Sequence, residues 1–241
     1  MDDVYSQIIG PKRKAGFSDV AEILYSPVKT FRKVMDSGHA WAYPFIIFWI
    51  ILAISFISKA PYMESQSSEL ALLNLTQENV SAAITVISII FSLIAAPIIV
   101  VIAFYFIPSL IFMFFESFVM GGNSRLRQIM NVTAYAAVPM SIGILLSSAI
   151  SFVLRIPAFS FSPVMILPES MRITFLGMWL GIFDLFAIWV IILIIIGLAA
   201  LYGHRPAKTA AWLIPVYLAT YTLFAFVASL ASNLSFNPPI Y

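Results

Sequence analysis

Residues 175–201 read FLGMWLGIFDLFAIWVIILIIIGLAAL, 27 positions with one charge, Asp184. A helix that crosses a bilayer needs about 20 apolar residues in a row. The stretch is therefore predicted to span a membrane from Phe175 to Leu201. The rest of the chain agrees. Of 241 residues, 61% are hydrophobic and 10% are charged, where soluble domains carry about 25% charged. The mean hydropathy is +0.99. This composition excludes a cytosolic globular enzyme, a disordered tail and a disulfide-stapled secreted domain. There is no cysteine, hence no disulfide, thiolate nucleophile or thiolate metal site, and no clue to redox compartment. The net charge of +2 makes no case for nucleic acid, and no nucleic-acid partner is expected.

Trp41–Ser58, Val132–Leu154 and Ala210–Ser232 are long and apolar enough to be spans as well. Ser81–Phe115 is longer: 35 residues without a charge, or about 52 Å of helix against a hydrocarbon core of about 30 Å. It is one tilted or kinked span, a span with a re-entrant or interfacial part, or two spans. Pro97 and Pro108 are the expected break points, because proline removes a backbone donor and crowds the preceding turn.

The positive-inside rule settles the count. Five spans place Lys12, Arg13, Lys14, Lys29, Arg32, Lys33, Arg125, Arg127, Arg205 and Lys208 inside, ten basic residues, with Lys59, Arg155 and Arg172 outside. Six spans change the split to eight against five. The predicted fold is an all-α polytopic membrane bundle of five transmembrane helices, N-terminus cytoplasmic and C-terminus outside. Residues 1–38 form a cytoplasmic arm and 39–241 the five-span domain. The first apolar run starts near residue 41, too late for a cleavable signal peptide, so the first span is expected to serve as the targeting signal.

Within the arm, Ser26-Pro27 reads as an N-cap followed by proline at the first helical position, and Gly38 as a stop. Val28, Phe31 and Met35 share one face, while Lys29, Arg32 and Lys33 are polar. Asp19–Ser37 is read as one or two amphipathic helices. Either they lie in the cytoplasmic interface, with Phe31 in the lipid and Lys29, Arg32 and Lys33 at the headgroups, or they dock on the protein's own inner loops.

Asp184 lies about nine residues from the outer end of its span, roughly 14 Å deep. An aspartate at mid-membrane costs about 2.5–3.5 kcal/mol on insertion scales, and no basic residue lies within the spans. It is expected to be neutralised, or held by hydroxyls, backbone or water. Ser147, Ser148 and Thr222 lie at matching depth, with Ser88 and Ser92 as further candidates. This group is a candidate intramembrane polar site for a proton, a cation or a substrate; its alternative role is an interhelical hydrogen-bond anchor. Gly177 and Gly181 fall on the same face as Asp184 at 100° per residue and permit close helix contact. Gly143, Ser147 and Ser151 repeat the pattern in the third span, and Ala225 with Ser229 and Ala228 with Ser232 in the fifth. These stripes fit bundle packing or a homodimer. Trp41 and Trp212 near the inner face and Trp179 near the outer face fit the aromatic belts of a membrane protein.

Catalytic patterns are missing. There is no HExxH, GxSxG or P-loop. His39 and His204 are too few and too separate for a metal site, and an aspartyl protease needs two facing carboxylates. The protein is not expected to be an enzyme or to carry a cofactor or metal. Asn74, Asn79, Asn131 and Asn233 open Asn-x-Ser/Thr sequons, read as chance outside a glycosylating host.

The chain resembles the Yip1-domain proteins of bacteria and archaea over about residues 20–230. The resemblance rests on the Ser26-Pro27 lead-in, Trp41 and Pro44 at the start of the first span, Gly121-Gly122 and Tyr135-Ala136-Ala137-Val138-Pro139. It rests further on Phe183-Asp184-Leu185-Phe186-Ala187-Ile188-Trp189 with Ile196-Gly197-Leu198, and on the short inner loop Tyr202–Lys208. It implies a five-span bundle with a cytoplasmic N-terminus, here in a prokaryotic cell membrane. In eukaryotes the family is linked to vesicle trafficking and small GTPases. Two functions follow as expectations. One is a non-enzymatic protein that organises the membrane or binds partner proteins, with the lipid bilayer, a second copy or another membrane protein as partner. The other is a transporter or channel for a small solute, ion or lipid, with Asp184 in its polar site.

Overall fold

The computed structural model of the chain describes residues 15–66, 101–119, 121–156 and 158–236, with 86, 87, 90, 91, 98 and 99 as isolated positions. Ser88, Ser92, Pro97, Asn74 and Asn79 lie outside the described residues. Two short helices open the described chain, α1 (Phe17–Glu22) and α2 (Pro27–Val34), followed by α3 (Ala42–Gln66). Pro27 starts α2, although the Ser26 hydroxyl makes no capping bond. The next element has α-helical geometry in α4 (Ile107–Phe114) and wider π-helical turns on either side, at Val101–Phe106 and Phe115–Val119. Pro108 sits at the change of geometry. Its missing N–H and its ring force the preceding turn to widen, and the chain runs on as one element instead of turning back.

Pro139 acts more sharply. It divides residues 126–154 into α5 (Leu126–Ala136) and α6 (Val138–Leu154), with Ala137 at φ −77°, ψ −6° between them. Beyond α6 lie a 3₁₀ turn at Pro163–Ile166, α7 (Glu169–Arg172) and α8 (Phe175–Leu180), then α9 (Leu185–Tyr202) and α10 (Pro206–Phe236). Gly203, at φ +67°, ends α9 in the left-handed conformation that glycine takes freely. Pro206 opens α10 two residues after His204.

The described residues form helices without strands. Four helical stretches are long and apolar enough to cross a membrane: Val101–Phe118, Leu126–Leu154, Leu185–Tyr202 and Pro206–Ser232. The first predicted span is represented by a shorter apolar stretch, Ala42–Ser55 in α3. The architecture is a polytopic helical bundle. Its centre is α9, apolar on every side, with one face in the bundle and Leu185, Ile188 and Ile192 exposed. It packs against α2, α5, α6 and α10, while α3 lies along α6 and α4 along α5.

The predicted span Phe175–Leu201 requires correction. It is two helices, α8 and α9, separated by a 3₁₀ turn at Gly181–Phe183 and by Asp184 in extended conformation. Glycine is a poor helix former, and an aspartate side chain competes for the amides that would continue the helix. Both causes act at the break.

The expectation of a lipid-facing arm is corrected too. Ile23, Phe31 and Val34 are fully buried and share one core with Ile129, Val132 and Leu198. Phe31 faces the bundle, and Val28, expected beside it, is exposed. Of the two placements left open by the sequence, docking on the protein is the observed one. The buried stripe is Thr30, Phe31 and Val34, whose spacing matches a helix lying in a groove.

Candidate functional site

Three polar groups and one cavity organise the bundle. The first polar group is at the end bearing most basic residues. Gly197 on α9 leaves the space that Phe31 enters; a side chain there would run into Val132 and the Phe31 ring. Asn131 is fully buried on α5. Its Nδ2 donates to the carbonyls of Val34 at 2.8 Å and Ser37 at 3.0 Å, and its Oδ1 accepts from the Trp41 N–H at 2.9 Å. One amide thus satisfies the end of α2 and the approach to α3, where backbone groups have no helical partner. Lys33 donates to the buried Asp19 carboxylate, and Lys29 pairs with Glu22 at 2.6 Å. The Asp19 carboxylate also accepts from the Gly16 N–H at 2.7 Å. Of the predicted membrane-surface residues, Phe31 is engaged in docking, Lys33 joins α2 to α1 within the arm, and Lys29 and Arg32 are exposed. Arg125, Arg127, Arg205 and Lys208 are exposed at the same end.

Glu116 forms the second group. It is fully buried. Its Oε1 accepts from Trp212 Nε1 at 3.3 Å, and its Oε2 lies 3.7 Å from His204 Nδ1, with Lys208 close enough to act on it electrostatically. A buried carboxylate is costly unless paired; Trp212 satisfies Oε1, while Oε2 and His204 Nδ1 face each other without a hydrogen bond. Trp212 is buried and stacked on Phe115 at 5.2 Å, so it is a bundle residue and not part of the lipid-facing belt. Gly122 closes the loop over the group. Its N–H donates to the Glu116 carbonyl at 2.8 Å, and a side chain on it would strike the Tyr202 ring. The sequence reading stopped its apolar run at Phe115 and so missed Glu116. The signal was the apolar Phe118-Val119-Met120 beyond it. Among the described residues, no three His, Asp or Glu side chains gather as metal ligands.

The third group is Asp184. Its Oδ1 caps α9 by accepting from the N–H groups of Phe186 at 2.9 Å and Ala187 at 3.3 Å; its Oδ2 accepts from Phe161 N–H at 3.1 Å. Leu185 N–H returns a bond to the Phe161 carbonyl at 3.2 Å. The loop between α6 and α7 is thereby tied into the break in the helix. Ser147, Ser148 and Thr222 do not supply these contacts. Thr222 accepts instead from Trp179 Nε1 at 3.0 Å, joining α8 to α10, and Ser148 is buried on α6. Gly181 approaches Tyr221 of α10, and Gly143 approaches the Phe186 ring, as small residues between packed helices do. Gly177 packs instead on the backbone of Met171 and Arg172, so the expected single glycine face serves two different contacts. Asp184→Ala is expected to destabilise the protein by about 1–2 kcal/mol, as for a lost N-cap. It should also speed labelling of a cysteine placed at Ser160, measured in detergent. Asp184→Asn, which keeps one acceptor oxygen, should do less of both.

The cavity lies between the second and third groups. It measures about 310 Å³ and is bounded by Phe112 on α4, Met140 on α6, Ala187 and Ile194 on α9, and Leu213 and Val216 on α10.

A sequence model of the Yip1 domain matches residues 21–229. The chain belongs to the Yip1-domain family. No curated protein and no solved structure matches it. The Yip1 domain so defined begins inside α1 and takes in the whole of α2, three of the four long apolar stretches and most of the fourth, together with Asn131, Glu116 and Asp184. With its apolar helices, this makes the Yip1 protein an integral, multi-pass membrane protein.

Proposed function

We propose that this Yip1 protein is a non-enzymatic membrane organiser whose basic end, facing the cytoplasm, holds an anionic surface of the membrane or of a partner protein. The observation that carries this reading is the locking of α2 onto the bundle by Phe31 and Asn131, which fixes the exposed Lys29 and Arg32 at the same end as Arg125 and Arg127. A fixed basic surface meets an anionic one without first ordering a loose arm, and ordering is a principal cost of association. Transport of an ion or polar solute finds less support. The Asp184 oxygens are occupied by three backbone amides, and the neighbouring cavity is lined mainly by apolar residues.

Deleting residues 1–37 is not the test, because it strips Ile23, Phe31 and Val34 from the core. The test uses the full chain in zwitterionic nanodiscs, titrated with vesicles containing phosphatidylglycerol. Each basic residue near an anionic surface is worth about 1 kcal/mol, so the triple variant Lys29→Glu, Arg32→Glu, Arg127→Glu should bind more than about tenfold more weakly. Its unfolding free energy should fall by no more than about 1 kcal/mol, the worth of the surface pair Lys29–Glu22 that it breaks. Equal binding by the wild type and the triple variant refutes the lipid form of the reading.

A further inference from the structure

We infer that the cavity between α4, α9 and α10 is a binding site for one acyl chain of a membrane lipid. This goes beyond the basic-end reading and does not depend on it. The lining runs along α9 from Ala187 to Ile194, about 10 Å at 1.5 Å per residue. A volume of about 310 Å³ over that length averages roughly 30 Å² in cross-section, the girth of a hydrocarbon chain rather than of a headgroup.

The space is suited to hydrocarbon and not to water. A buried water needs two to four polar partners. Three hydroxyls belong to the wall, on Thr133, Tyr217 and Thr220; the buried one, Thr133 Oγ1, already donates to the Ile129 carbonyl at 2.9 Å and lies 3.1 Å from Ser109 Oγ, and Thr220 is exposed. Apolar cavities half this size stay dry and take up apolar guests. The cavity is also continuous with the bilayer-facing surface. Ile111 belongs to its wall and is itself 39% exposed. Ile107, Ile214 and Leu218 flank it and are exposed as well. Both neighbouring helices are apolar enough to cross a membrane, so the molecule at this opening is the acyl chain of a lipid.

The test is photolabelling in proteoliposomes that contain a phospholipid with a diazirine in its acyl chain, followed by peptide mapping. Label should appear on the inward Met140, Ile194 and Val216. Two variants narrow the space independently, Ala187→Phe and Val216→Phe; each adds bulk where the wall is closest to a chain. In either one, inward label on Met140 and Ile194 should fall at least about fivefold, since an overfilled wall leaves no room for a guest. Label on the outward Ile188 and Ile192 should hold, and it serves as the internal standard. If one variant fails to fold, the other is read alone. Label confined to outward residues overturns the inference. So does inward label that survives both substitutions. Loss of binding at the basic end leaves this readout untouched, so the two ideas fail separately.

Discussion

Asn131→Leu is expected to cost about 3–5 kcal/mol of stability, because leucine fills the space but strands the Val34 and Ser37 carbonyls and the Trp41 N–H. Each buried group left without a partner loses about 1–3 kcal/mol, and local relaxation recovers part of the sum. Asn131→Asp keeps an acceptor for Trp41 but turns an oxygen toward two carbonyls, and should be at least as damaging. Reversible unfolding in mixed micelles measures both. A loss below about 1 kcal/mol, the size of a single ordinary hydrogen bond, would show that the amide is not the joint between α2, α3 and α5. The same geometry decides the sequon that Asn131 opens: its Nδ2 is spent on two carbonyls inside the bundle, so no glycan can attach there in the folded protein.

The fold class was legible because apolar length is a strong signal. The runs that became α6, α9 and α10 are visible without any structure, whereas the division at Pro139 falls inside the expected span Val132–Leu154. What the sequence hid was local competition within those runs. Hydropathy averages over Phe175–Leu201 and cannot register that Asp184 takes the amides of Phe186 and Ala187 for itself. Periodicity put Phe31 on an apolar face correctly, but a face does not say whether lipid or protein lies against it. The information was in a distant residue, Gly197, whose missing side chain makes the groove. Glu116 was hidden for a similar reason. A charge at the edge of an apolar run reads as the edge, and only the arrival of Trp212 and His204 from the far end of the chain shows that it is interior.

The buried groups follow one design. Asn131, Glu116 and Asp184 each stand where helical geometry fails: at the end of α2, at the π turn after α4, and at the break before α9. In a bilayer such failures must be satisfied inside the protein, since lipid offers no hydrogen bonds. The side chains of Asn131 and Asp184 meet such backbone groups and tie distant elements together in doing so; the Glu116 side chain joins α10 through Trp212, and Gly122 meets its carbonyl. The cavity lies between the second and third of these joints.

Phe31→Ala is expected to cost about 3–5 kcal/mol, the range for emptying a buried aromatic position. Its main consequence should be the release of α1 and α2 from the bundle. Phe31 is wholly enclosed, against Val132 and the notch at Gly197, and its loss leaves Ile23, Val34 and the Asn131 bonds to hold the arm. Trypsin should then cut at Arg32 and Lys33 while the rest of the chain stays protected. Gly197→Leu should reproduce the release from the other side, by filling the notch. Val28→Ala, on the exposed face of the same helix, should change stability by less than about 0.5 kcal/mol. The comparison separates the two placements that the sequence allowed. Were Phe31 immersed in lipid, Phe31→Ala would weaken attachment of α2 to the membrane surface but leave the unfolding of the bundle alone, and Gly197→Leu would be silent. Joint sensitivity of residues 31 and 197, with an insensitive residue 28, is obtained only when α2 is part of the bundle core.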